Sequence, residues 1–214
     1  MKFAHKGRWI ILAAAIALQL AAALSLLCYS ARVRHYALAH GRIVSLACRA
    51  YDPFSPFKGR YVKLTIAESQ LQGENLDRDS LDNLSGRRKK TIYCRMEEGA
   101  DGLWKVAGIR REIPQDAGDD IYIEADCSFW GGDKDGFYVR AAYAFDEYYM
   151  QENFARYADS IRWDDFNALE PVLSVYVAKN GTCIQQGLTV QDGAERIAFE
   201  EYCRREVSGW NREK

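Results

Sequence analysis

Residues 121–145 read IYIEADCSFWGGDKDGFYVRAAYAF, and the fold is decided here. Ile121, Ile123, Ala125, Cys127 and Phe129 alternate with Tyr122, Glu124, Asp126 and Ser128. Beyond Asp135-Gly136 the alternation resumes with Phe137, Val139, Ala141, Tyr143 and Phe145. Successive side chains of a strand point to opposite faces, so a period of two marks a strand with one face in a core. Asp-Gly tolerates positive φ at both central positions of a tight type I′ turn. The stretch therefore reads as an antiparallel hairpin, with strands at 120–129 and 137–145.

The same signal recurs on both sides. Val62, Leu64 and Ile66 alternate with Tyr61, Lys63 and Thr65, and Ile92, Cys94 and Met96 with Thr91, Tyr93 and Arg95. Leu173, Val175 and Val177 precede Ile184, Leu188 and Val190. Asp101-Gly102 separates strands at 91–97 and 103–112, and Asn180-Gly181 separates strands at 172–179 and 182–190; type I′ turns are expected at both. Two segments change period. Met150, Phe154, Tyr157, Ala158 and Ile161 fall on one stripe of a helix over 146–163. Phe199, Tyr202, Cys203 and Val207 do the same for a helix over 194–207. Residues 68–88 are polar and weakly patterned and read as a long loop.

Charge is distributed unevenly. Residues 1–40 hold Lys2, Lys6, Arg8, Arg32 and Arg34 and no Asp or Glu, leaving 24 of the 29 cations against all 30 anions in residues 41–214, a net of −6. Nucleic-acid binding needs a basic surface, so that class is not expected. The basic run Arg87–Lys90 reads as a solvated loop flanking a strand. From Trp9 to Tyr29 the chain carries no charge, and 21 residues at 1.5 Å rise match a hydrocarbon core of about 30 Å. Trp9 and Tyr29 sit where interfacial aromatics belong. A cleaved signal peptide is the alternative, with small residues at 21–23 and 37–39, but the apolar run exceeds an ordinary signal core. The fold class expected is α+β: an N-terminal transmembrane helix, then a mostly antiparallel β domain of hairpins with one or two helices. The boundaries are 1–40 for tail and anchor and 41–214 for the domain. Lys2, Lys6 and Arg8 before the span nearly balance Arg32, Arg34 and Arg42 after it. A short charged tail before a single span favours a cytoplasmic N-terminus and an extracytoplasmic domain.

The domain lacks several chemistries. His5, His35 and His40 are the only histidines, so Ser-His and Cys-His nucleophiles and His-ligated metals are excluded beyond residue 40. There is no phosphate-binding glycine loop. Of six cysteines, Cys28 lies in the span, and Cys48, Cys94, Cys127, Cys183 and Cys203 form no close-spaced pair, so zinc is not expected and no pairing is fixed. No cofactor and no metal are expected. Acidic residues cluster at turns, where Asp serves the backbone.

Residues 52–64 read DPFSPFKGRYVKL. Pro53 and Pro56 donate no ladder hydrogen bond, so this is a loop leading into a strand, with Gly59 allowing the bend. Gly59-Arg60-Tyr61-Val62-Lys63-Leu64-Thr65-Ile66 resembles the signature of the bacterial GDYXXLXY family in its Gly, Tyr and Leu. Arg60 stands where the signature has Asp, and Ile66 where it has the last Tyr. Asp52-Pro53 is similar to the family's lead-in, and Asp146–Glu152 to its acidic–aromatic segment. The final hairpin, Val175 to Val190, is a third similarity. The resemblance implies a membrane-anchored protein of the bacterial inner membrane, its domain on the periplasmic side, associated with a multi-pass membrane protein. It implies no particular reaction. Asp52, Gly59, Arg60, Tyr61, Leu64, Glu147, Tyr149 and Glu152 are the motif and candidate binding positions.

Three readings compete. A binding or assembly module follows from the anchor, the histidine-free domain and tyrosines expected on exposed strand faces (Tyr61, Tyr93, Tyr122, Tyr138, Tyr176). An envelope hydrolase would use carboxylates, with Asp52, Glu147 and Glu152 converging, or a Ser-Lys pair such as Ser55 with Lys58 or Lys63. A lipid or small-ligand carrier would need an apolar cavity. The two family-like segments are expected to approach each other, bringing Arg60 near Glu147 or Glu152.

Overall fold

The first helix, α1 (Phe3–His40), is apolar on all sides over most of its length and leaves its large side chains exposed, Trp9, Leu18, Leu26 and Tyr29 among them. Its 38 residues make a rod of about 57 Å. Residues 11–40 qualify by length and hydropathy as a membrane span. The computed structural model describes residues 3–50, 61–72, 90–133, 136–151, 154, 157–158 and 161–210.

The helix runs straight into strand β1 (Arg42–Ala50) through one residue, Gly41. The Gly41 amide donates to the Ala37 carbonyl at 2.8 Å. A Cβ at this position would collide with that same carbonyl oxygen and lie 3.2 Å from the Val177 carbonyl oxygen. Both obstacles are backbone, so only glycine fits. Ala37, fully buried, marks where the helix meets the sheet.

Alternation of Val44, Leu46 and Cys48, all buried, makes β1 a core strand. It pairs antiparallel with β2 (Tyr61–Ile66) on one side and β9 (Val172–Val177) on the other. With β8 (Glu147–Tyr149), β10 (Cys183–Asp192) and β11 (Glu195–Ala198) these strands form a six-stranded sheet in the order β11-β10-β9-β1-β2-β8. A five-stranded sheet has the order β3-β7-β6-β4-β5, from β3 (Gln70–Gln72), β4 (Lys90–Glu98), β5 (Trp104–Arg110), β6 (Ile121–Asp133) and β7 (Gly136–Tyr143). Every recorded pairing is antiparallel. One apolar cluster holds Leu46, Leu64, Ile92, Ile123 and Leu173, so both sheets face a single core. The chain crosses between them at a 3-10 turn, Ala67–Ser69. There Glu68 ties the second sheet to the corner: its carboxylate accepts from the Val106 amide at 3.1 Å, and its carbonyl from the Tyr143 hydroxyl at 3.0 Å.

The hairpin turns differ from the expected type. Asp101 and Asn180 have negative φ, while Gly102 and Gly181 have φ of 75° and 82°. The Gly102 amide donates to the Gly99 carbonyl and the Gly181 amide to the Ala178 carbonyl, each closing a four-residue turn. Both are three-residue loops in which a turn is followed by one left-handed glycine, the second common hairpin connection. Position 135 lies outside the described residues.

The helical segments also need correction. Glu147–Tyr149 is a strand rather than the start of a helix. Residues 154, 157 and 158 are helical, and helix α2 (Trp163–Ala168) follows. The stripe itself holds, since Met150, Phe154, Tyr157, Ala158 and Ile161 pack on the core. Helix α3 (Phe199–Trp210) begins after β11 rather than at 194, and buries Phe199 and Cys203. Phe199 meets Phe166 of α2 edge-to-face at 5.1 Å. Part of the expected 68–88 loop is structured as the 3-10 turn and β3.

Candidate functional site

The strands β2 and β8 bring the two family-like segments side by side. Tyr61 lies opposite Tyr149, Val62 opposite Tyr148, and Lys63 opposite Glu147. Because β8 is the sheet's last strand, the pair forms a corner with one face in and one face out. Val62, Leu64 and Tyr148 are buried. On the other face Lys63 and Glu147 are half-buried and Tyr149 is 54% exposed, a large aromatic on an open surface. Opposite charges facing each other across a strand pair stabilise it by about 0.2–1 kcal/mol. The Tyr149 hydroxyl donates to the Glu147 carboxylate at 2.6 Å, which orders both side chains.

A three-residue strand needs outside support. The Leu64 amide donates to the Asp146 carbonyl at 2.7 Å. Gln185 donates from Nε2 to the carbonyls of Phe145 and Glu147, each at 2.9 Å. Gln185 sits where the β9–β10 register shifts, so a bulge aims its amide at the corner. The Tyr148 hydroxyl donates to the Glu200 carboxylate, joining β8 to α3. Burial, with Glu200 adding to it, pushes the Tyr148 phenol well above its usual range.

Of the sequence-predicted positions, Asp52, Gly59, Arg60 and Glu152 lie outside the described residues. Tyr61 is described in its backbone alone, paired with Tyr149. Leu64 belongs to the core, being 2% exposed. Glu147 and Tyr149 share the open face. Among the tyrosines expected on exposed faces, Tyr122 is buried, so the outer face of β6 is covered there. Tyr93 and Tyr176 are half-buried. Gln185 was not singled out by sequence; the bulge that recruits it leaves no periodic mark.

Behind the Asn180–Thr182 turn a cleft of about 500 Å³ separates the sheets, with Glu124, Asp126, Asp146 and Thr182 on its walls. No group of three or more metal-ligating side chains converges among the described residues. The domain cysteines are free thiols. Burial pushes Cys48, Cys94, Cys183 and Cys203 up to about 12, and Cys127 upward as well. Thiols held protonated are poor nucleophiles, so they act as small apolar groups.

Compared with known proteins, residues 23–188 match a family model described as GDYXXLXY protein. No curated protein and no solved structure matches the chain.

Proposed function

Because the chain belongs to the GDYXXLXY protein family, we propose that it is a membrane-anchored binding or assembly module whose outward β2–β8 face engages a multi-pass membrane protein. Residues 1–40 hold it in the bacterial inner membrane, and residues 41–214 form the extracytoplasmic, periplasmic domain. The observation that carries this reading is the register of β2 on β8. It gathers both family segments into one corner, sends their apolar members inward and leaves Lys63, Glu147 and Tyr149 on the open face. Tyrosine supplies apolar area and a polar tip, a composition favoured in interfaces. Here the Glu147 carboxylate already holds the phenol in place, which lowers the entropy lost on binding.

Two experiments test this. Alkaline phosphatase fused after Lys214 is expected to be active; an inactive fusion puts the domain in the cytoplasm. Tagged full-length chain solubilised from membranes in mild detergent is expected to bring down an integral membrane protein, and Tyr149→Ala to lose it. A chain that purifies alone and monomeric contradicts the proposal.

A further inference from the structure

Beside α1, where it leaves its apolar run, lies a groove of about 850 Å³. One wall is the helix, with Tyr29, Arg32, Arg34 and Tyr36; the other is the β9–β10 hairpin tip, with Asn180 and Ile184. The 21-residue apolar stretch runs to the interfacial Tyr29, and Arg32 and Arg34, the first charges after it, sit about 4.5–7.5 Å further along the axis. In a spanning helix that is the depth of lipid headgroups. Among the described residues, neither guanidinium has a carboxylate within salt-bridge distance.

The groove is held open by the fold. At the hairpin tip, the Glu124 amide donates to the Gly181 carbonyl at 3.3 Å, and a Cβ at Gly181 would lie 3.1 Å from the Tyr93 ring. At the helix end, Gly41 and Ala37 fix the junction. Next to the groove, Ile43, Tyr176 and Ile184 are register partners across β1, β9 and β10, and Ile43 is 48% exposed. Two unpaired cations, an amide side chain and an apolar row thus meet at the level of the bilayer surface. Glu124 and Asp126 line the separate cleft behind the same turn, which confines the attraction for anions to the helix side.

We infer that this groove binds the phosphate headgroup of an anionic bilayer phospholipid, with Arg32 and Arg34 as its ligands, and so seats the sheets on the membrane surface. Guanidinium is the side chain best matched to a phosphate by fork geometry and permanent charge. Basic residues at this depth attract anionic lipid by an amount that falls with salt. The inference rests on the membrane-anchored reading.

Native mass spectrometry of the full-length chain, released from nanodiscs of equal phosphatidylglycerol and phosphatidylcholine, reads the retained lipid. The expected result is selective retention of phosphatidylglycerol, weakened on the order of 10-fold or more by Arg32→Gln with Arg34→Gln. Arg162→Gln, at an exposed site on the domain, is expected to leave retention unchanged. Equal retention of both lipids, or selectivity intact in the double variant, overturns the inference. Selective loss of phosphatidylglycerol at millimolar inorganic phosphate overturns it too, by making free phosphate the ligand. Alkaline carbonate extraction separates the two ideas: release of the chain from native membranes removes the anchor itself, whereas retention without lipid selectivity removes only the groove.

Discussion

The inward and outward faces of the β2–β8 corner are built from alternate residues of the same six positions, yet they answer to different physics. Inward, Val62, Leu64 and Tyr148 join a dry core, where each side chain is fixed by its neighbours. Outward, Lys63, Glu147 and Tyr149 touch water, and their arrangement is set by charge and one hydroxyl. The difference teaches that one short motif carries both a buried structural half and an outward half, the half for which recognition is proposed. Leu64 is the structural part of the signature. In the sequence, Arg60 stands where the signature has Asp, just ahead of the outward residues.

Alkali attacks the inner side most strongly. The thiols of Cys48, Cys94, Cys183 and Cys203 lie near 12 in the folded chain against 9.0 for an ordinary thiol. Below pH 9 both states keep the protons and the stability is intact. As pH rises from 9 toward 12, the unfolded chain releases protons that the folded chain retains, so stability falls. Each thiol that titrates this way lowers it by about 1.4 kcal/mol per pH unit. Denaturant midpoints of the full chain in micelles at pH 8, 9, 10 and 11 are expected to be flat and then drop; a midpoint unchanged through pH 11 breaks the picture of a dry inner side. Next in size is Leu64→Ala, expected to lower stability by about 2–5 kcal/mol. A loss under 0.5 kcal/mol would place Leu64 outside the core.

Tyr148→Phe keeps the inward ring and removes the hydroxyl's bonds to Glu200 and to the Leu188 backbone, so a loss of about 1 kcal/mol is expected in the same assay. The smallest effect belongs to the outer face. Lys63→Glu sets like charges opposite each other and is expected to lower stability by about 0.2–1 kcal/mol, less at high salt. If this exposed change proved costlier than Leu64→Ala, the two faces would have been assigned the wrong way round.

Much of this corner was legible in the sequence because alternation is local. Val62, Leu64 and Ile66 announce their buried face without any partner. The strand β1 carries the same mark in Val44, Leu46 and Cys48, yet it follows a long helix with only Gly41 between, so no turn signal announces it. The strand β8 was hidden for another reason: three residues are too few to show a period, and the helical stripe of Met150 and Phe154 begins immediately after it. What makes Glu147–Tyr149 a strand is pairing with residues more than eighty positions away, together with the Gln185 amide. Pairings of that range leave no trace in local pattern, which is also why the sheet order and the covering of Tyr122 were not readable.

The central claim is that the outward face of this corner is a binding surface, and its most direct test is a photo-crosslinking residue placed at Tyr149 in the full-length chain in native membranes. The expected result is one discrete adduct with an integral membrane protein, absent when the crosslinker stands at exposed Glu97 of β4. No adduct at Tyr149, or the same adducts at both positions, would contradict the claim.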